Sequence, residues 1–147
     1  MADAKTFFDL DQQKRIETAI AEAEKNTSGE IRVHIENNCT VDAVERAVKV
    51  FEQIKMHETK ERNGVLVYLA VVDHKFAIVG DKGINDVVPN NFWDNIKTHM
   101  QSCFKEKEFT KGLCEGIIMA GNELKKHFPL QHDDKDELSN DVTFNHN

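Results

Sequence analysis

Hydrophobic and polar positions along this chain switch between two periods. From Leu10 to Lys25 the apolar residues Ile16, Ala19, Ile20 and Ala23 recur at spacings of three and four, with Glu17, Glu22 and Glu24 mostly off that stripe, which predicts an amphipathic helix. Asn26-Thr27-Ser28-Gly29 supplies turn chemistry. A period of two follows: Ile31, Val33 and Ile35 alternate with Arg32 and His34, the pattern of a half-covered strand from Glu30 to Glu36. Thr40 or Asp42 can cap a second helix to about Met56, with Val44, Ala47, Val48, Phe51 and Ile54 at helical spacing. Val65 to Val72 is an apolar run rich in β-branched residues, which reads as a strand covered on both faces. Asp73-His74 makes a short polar turn, and Lys75 to Val79 folds back as an antiparallel strand.

The rest of the chain reads as helix. Asn90 or Asn91 caps a predicted helix through Phe92, Trp93, Ile96, Met100 and Phe104 to about Lys105. Leu113, Ile117, Ala120, Leu124 and Phe128 form the stripe of a last helix that Pro129 ends. Gly112, Gly116 and Gly121 disfavour that helix on propensity, so close packing against a neighbouring element is expected. Strand, helix and strand from Glu30 to Val72 make a β-α-β unit with parallel strands and a right-handed crossover. Residues 1–130 form one domain in this reading, and residues 131–147 an acidic polar tail in which only Val142-Thr143-Phe144 could add a short edge strand.

Charge narrows the partners. The 19 basic against 26 acidic residues leave a net charge of −7, which weighs against a nucleic-acid polyanion and leaves cations as plausible ligands. The three cysteines, Cys39, Cys103 and Cys114, form no C-x-x-C pair of the zinc or redox kind, and the last two are expected to be buried reduced thiols. Met1 to Phe8 shows no signal-peptide pattern, and no apolar stretch reaches the roughly 20 residues of a membrane span. The expectation is a soluble, cytoplasmic protein.

Parallel strands enter a sheet at one edge, so the crossover and the hairpin bring Ser28-Gly29-Glu30, Arg62-Asn63-Gly64 and Asp81-Lys82-Gly83 together. Two roles are open to Asp81: a turn or helix N-cap, or a ligand to calcium or magnesium. Glu30 is a second ligand or a partner of Arg62. Arg62 suits a bidentate grip on phosphate oxygens, and equally a surface cation balancing Glu30 and Asp81. Asn63 offers its amide oxygen to a metal, or caps a turn. Should Asp81 and Glu30 share a cation, the empty site would hold two like charges. The rule for open α/β sheets favours the opposite edge, which carries Glu36, Asn37, Asn38, Asp73 and His74. His34, His99 and His127 lack ligand-spaced partners, and structural or surface roles are expected of them. The tail run Asp134-Lys135-Asp136-Glu137 lacks the glycine of an EF-hand and reads as a solvated tail. No serine or cysteine sits in a nucleophile motif.

Several of these motifs, taken together, resemble a known family. Ser28-Gly29-Glu30-Ile31-Arg32-Val33, Arg62-Asn63-Gly64-Val65-Leu66, Gly80-Asp81-Lys82-Gly83-Ile84, Phe92-Trp93 and Phe109-Thr110-Lys111-Gly112-Leu113 are similar, in this order, to the TPM domain. The resemblance covers about residues 10 to 130. It implies a three-layer α/β/α sandwich whose small mixed sheet, here flanked by about five helices, carries a divalent-cation site, usually for calcium. It also implies the acid-phosphatase activity proposed for some members. On that footing Asp81, Glu30 and Asn63 are the expected metal ligands, for Ca2+ first and Mg2+ second. Arg62 and Asp81 are the expected catalytic residues of a metal-dependent phosphohydrolase acting on a phosphate-bearing small molecule. An adaptor for a protein partner, without chemistry, is the third alternative. Bacterial members commonly carry a signal peptide, a transmembrane helix after the domain and a glycine-rich tail. None of these patterns is seen here, so a stand-alone soluble domain is expected.

Overall fold

The structure, a computed structural model, describes residues 3–130 and 140–145; the acidic run expected to be a solvated tail lies outside them. Helix α1 (Leu10–Glu24) starts on a capping box: Asp9 accepts from the Gln12 backbone N–H at 2.7 Å, and the Gln12 side chain accepts from the Asp9 N–H at 2.9 Å. It buries Ile16, Ala19, Ile20 and Ala23, the four residues of the sequence stripe. Strand β1 (Glu30–Glu36) follows, then helix α2 (Ala43–Gln53), whose cap is Asp42, bonded to the N–H groups of Val44 and Glu45. Strands β2 (Gly64–Ala70) and β3 (Lys75–Gly80) make the hairpin. β2 ends two residues earlier than expected, and the Val71 and Val72 N–H groups bond the Glu36 and Asn37 carbonyls just past its last pair.

One helical turn, α3 (Lys82–Asn85), comes next and was not expected: four residues are too few to show a period. Helix α4 (Asp94–Lys105) begins after Trp93 with no side-chain cap; Asn91 contributes only its backbone carbonyl, to the Asp94 N–H, so the expected asparagine cap is corrected. Helix α5 (Phe109–His127) and a short strand β4 (Thr143–Asn145) complete the order.

The sheet runs β3-β2-β1-β4. β1 lies parallel to β2, Glu30 opposite Gly64 through Glu36 opposite Ala70, and parallel to β4; β2 and β3 are antiparallel, Val65 opposite Gly80. Side-chain alternation then splits the core. Ile31, Val33 and Ile35 of β1 and Val65, Val67 and Leu69 of β2 pack under α1, α4 and α5. Leu66, Tyr68, Ala70 and Ala77 face the other way, under Ala47, Val50 and Phe51 of α2. The result is the expected three-layer α/β/α sandwich, with five helices among the described residues and a mixed sheet. No helix among the described residues is long and apolar enough to cross a membrane.

Candidate cation site at the strand-entry edge

Asp81 leaves β3 where its own N–H donates to the Gly64 carbonyl at 2.9 Å. That bond aligns Asp81 with Gly64, and Gly64 is in turn the register partner of Glu30. The three therefore form one row across β3, β2 and β1, with a residue lacking a side chain between two carboxylates. Two strand spacings put the outer positions about 10 Å apart along the backbone. Both acids are buried, Glu30 at 2 % and Asp81 at 6 % exposure.

The charge at Asp81 is not left bare. Arg62 meets it with two parallel hydrogen bonds, Nε to Oδ2 at 2.7 Å and Nη2 to Oδ1 at 2.9 Å, and the carboxylate raises the guanidinium pKa first through these bonds. Asp81 also accepts from the Lys82 N–H at 2.7 Å as the cap of α3. The expected repulsion between Asp81 and Glu30 is thus offset by Arg62. Arg62 itself sits at φ 51°, a left-handed backbone. A Cβ at Gly83 would overlap the carbonyls of Glu61 and Arg62, and the Gly83 N–H bonds the Arg62 carbonyl at 2.8 Å. Glycine at 83 is therefore what lets α3 close on the 61–62 loop.

Asn63 belongs to a second group. Its Nδ2 donates to Ser28 Oγ and to Glu61 Oε2, both at 3.1 Å, and Ser28 Oγ donates to that same Glu61 oxygen at 2.9 Å. With Asn63 only 1 % exposed, its Oδ1 is buried and has no hydrogen-bond partner among the described residues. A buried amide oxygen left unbonded suits a hard cation. The expected residues therefore gather as a pair, Arg62 with Asp81, and a triad, Asn63 with Ser28 and Glu61, with Glu30 on β1 in the same row as Asp81. Sequence reasoning missed Glu61; it stands in a charged loop where no pattern marks it.

Beside the pair opens a cleft of about 640 Å³, lined among others by Arg62, Asp81, Lys82 and His57 against Phe51 of α2. His57 Nδ1 is buried without a hydrogen-bond partner among the described residues.

At the opposite edge the polar groups are engaged in fastening the chain. Asn37 Oδ1 accepts from the Ala4 N–H and Asp73 Oδ2 from the Cys39 N–H, both at 2.6 Å. The cleft there, about 630 Å³, has walls of Phe7, Leu69, Phe76 and Phe104 and lysines at its rim, a poor setting for a cation. Histidine placement also differs from expectation. His99 has partners after all, with Nε2 2.7 Å from Glu115 Oε1 and 3.8 Å from Cys103 Sγ. The spacing of His99 and Cys103, one helical turn apart, was the available signal; Glu115 comes from another helix and had none.

The sequence profile of the TPM domain matches residues 1–123. Among solved structures, the chain is similar to the NMR structure of BA42 protein from the psychrophilic bacterium Bizionia argentinensis, at 48 % identity and TM-score 0.91, over 99 % of this chain and 100 % of that one. It is also similar in fold to the N-terminal domain of a P. gingivalis protein, at 17 % identity and TM-score 0.66, over 85 % of this chain and 82 % of that one. No curated protein matches it. The motifs, the sandwich and the profile agree, and the chain belongs to the TPM-domain family.

Proposed function

We propose that this domain binds a divalent cation, calcium foremost and magnesium second, at the strand-entry edge through oxygens of Asp81, Glu30 and Asn63. The observation that carries the reading is Asn63 Oδ1, an unbonded acceptor in a buried setting beside the Glu61 carboxylate. The shared row of Asp81, Gly64 and Glu30 supports it, since it brings two buried carboxylates to the same strand-entry edge. Arg62, whose side chain is 46 % exposed, neutralises Asp81 in the cation's stead and yields to it on binding. The three cysteines are free, which supports a reducing compartment such as the cytoplasm. Calcium titration read by calorimetry and amide NMR tests the site. Saturable binding with shifts at residues 28–30, 61–64 and 80–83 is expected; no saturation at millimolar calcium, or shifts confined to residues 131–147, would refute it.

A second reading, a metal-dependent phosphohydrolase, rests on the cleft beside Arg62, Lys82 and His57. A cation held by Asp81 would polarise a phosphoryl oxygen toward attack by water. Arg62 would hold the phosphate-bearing small molecule by its oxygens, and His57 Nδ1 would be available for proton transfer. Turnover of an aryl phosphate with calcium or magnesium, lost in Asp81→Asn, is the expected result; equal rates in that variant would exclude this cleft.

A further inference from the structure

On the far side of the sheet, α4 and α5 bring together three side chains of different ligand chemistry. His99 and Cys103 lie one turn apart on α4, and Glu115 reaches across from α5. Their nearest ligand atoms, Nε2, Sγ and a carboxylate oxygen, all fall within 4.8 Å of one another. The helices are held close at this point. A Cβ at Gly112 would stand 3.0 Å from Cys103 Cβ and 2.7 Å from the Phe104 ring, so only glycine lets α5 cross α4 this tightly. The chain after α4 also folds back onto it, the Glu108 N–H bonding the Cys103 carbonyl at 2.9 Å.

The geometry points to a transition-metal site here, for Zn2+ or an ion of similar softness, with His99 Nε2, Cys103 Sγ and a Glu115 carboxylate oxygen as its three protein ligands. Zinc bond lengths to nitrogen, sulfur and oxygen in a tetrahedron set ligand separations of about 3.6 Å for N···S and about 3.3 Å for N···O. The structure has 3.8 Å between Cys103 Sγ and His99 Nε2, already near the first value. It has 2.7 Å between His99 Nε2 and Glu115 Oε1, and Glu115 opens that gap by a side-chain adjustment, since it is 44 % exposed. One ion replaces the hydrogen bond that now joins the pair. Thiolate, imidazole and carboxylate together suit zinc, whereas calcium and magnesium take oxygen alone. The site is also wet on one side: Cys103 is buried, but His99 and Glu115 are each about two-fifths exposed. Water therefore completes the fourth position, as in zinc sites of the open kind. Lys111, paired with Glu108 at 3.5 Å, is the nearby cation that this acidic corner accommodates without a metal.

Co2+ reports on this directly, because a cysteine ligand gives a sulfur-to-cobalt charge-transfer band that oxygen and nitrogen ligands do not. Titrating the full reduced chain with Co2+ should raise that band to saturation at one equivalent, and Zn2+ should displace it. Cys103→Ser should abolish the band, and His99→Gln or Glu115→Gln, both at half-exposed positions, should weaken Co2+ binding by more than about tenfold. Cys114→Ser should leave it unchanged. The absence of a band at one equivalent would overturn the assignment. So would a band that survives Cys103→Ser, a band lost with Cys114→Ser, or affinities unmoved by the His99 and Glu115 changes.

Discussion

Glu36 ends β1 fully buried, on the α2 side of the sheet, and its two oxygens meet Arg46, Tyr68, His34 and Asn145. Burial alone would raise its pKa; hydrogen bonds from Arg46, Tyr68 and His34 overcome that and hold it at about 2. His34 is pushed the same way, below its ordinary 6.5, by burial first. Both folded values lie below the unfolded ones, so both contributions are complete above the unfolded pKa and are lost as pH falls. Equilibrium unfolding followed from neutral pH down to about 2 should show a first loss below 6.5 from His34 and a steeper one below 4.5 from Glu36, the latter worth roughly 3 kcal/mol. Glu36→Gln should flatten that second limb and lower stability at neutral pH; an unchanged acid limb would contradict the account. At the strand-entry edge the sharper test is Arg62→Ala. If Asp81 binds calcium, removing its competing guanidinium should tighten the calcium affinity, and a fall in affinity on calorimetry would count against Asp81 as a ligand. The neighbourhood of Glu30, Asn63 and Asp81 was legible because parallel strands share an entry edge. The partition into pair and triad was not, because it depends on the φ of Arg62 and on Glu61, which no period marks.

At the scale of elements, α5 is held by its glycines. A Cβ at Gly121 would stand 2.6 Å from the Ala23 carbonyl and 2.7 Å from Ala23 Cβ, both parts of α1 that cannot turn aside. A Cβ at Gly116 would instead meet the Met100 side chain, which can change rotamer. Alanine gains about 1 kcal/mol over glycine in helix propensity, whereas overpacking costs about 1–3 kcal/mol. Thermal or urea unfolding should therefore find Gly121→Ala destabilising and Gly116→Ala near neutral; the reverse order would mean that α1 and α5 are less tightly fixed than they stand. This packing was readable in advance, since three glycines inside a strong apolar stripe need a steric reason. The helices of eleven residues or more and strands β1 to β3 were legible from their periods, while the turn α3 was too short to carry one.

For the molecule as a whole, a bound cation should act on stability by mass action. A hundredfold excess of calcium over its dissociation constant adds about 3 kcal/mol, or roughly 6–10 °C in melting temperature for a chain of this size. Asp81→Asn should abolish that gain. It should also lower the metal-free melting temperature, because it removes the charge and one of the two oxygens that Arg62 grips and weakens the cap of α3. A calcium shift that survives the substitution would move the site elsewhere. The sheet order has a consequence of another kind, for how the chain is made. β4 pairs with the last three residues of β1 along its outer edge, yet the contact between His34 and Thr143 spans 109 residues of sequence. A nascent chain emerging at about 5–20 residues per second therefore carries β1 for several seconds with one flank of backbone donors and acceptors unpaired. During that interval β1 is an open template for another strand. The residue that then closes that end of the strand, Thr143, does so through a histidine whose burial disfavours protonation. Synthesis or refolding in mild acid would lengthen the exposed interval, and the first sign of failure would be intermolecular pairing along β1.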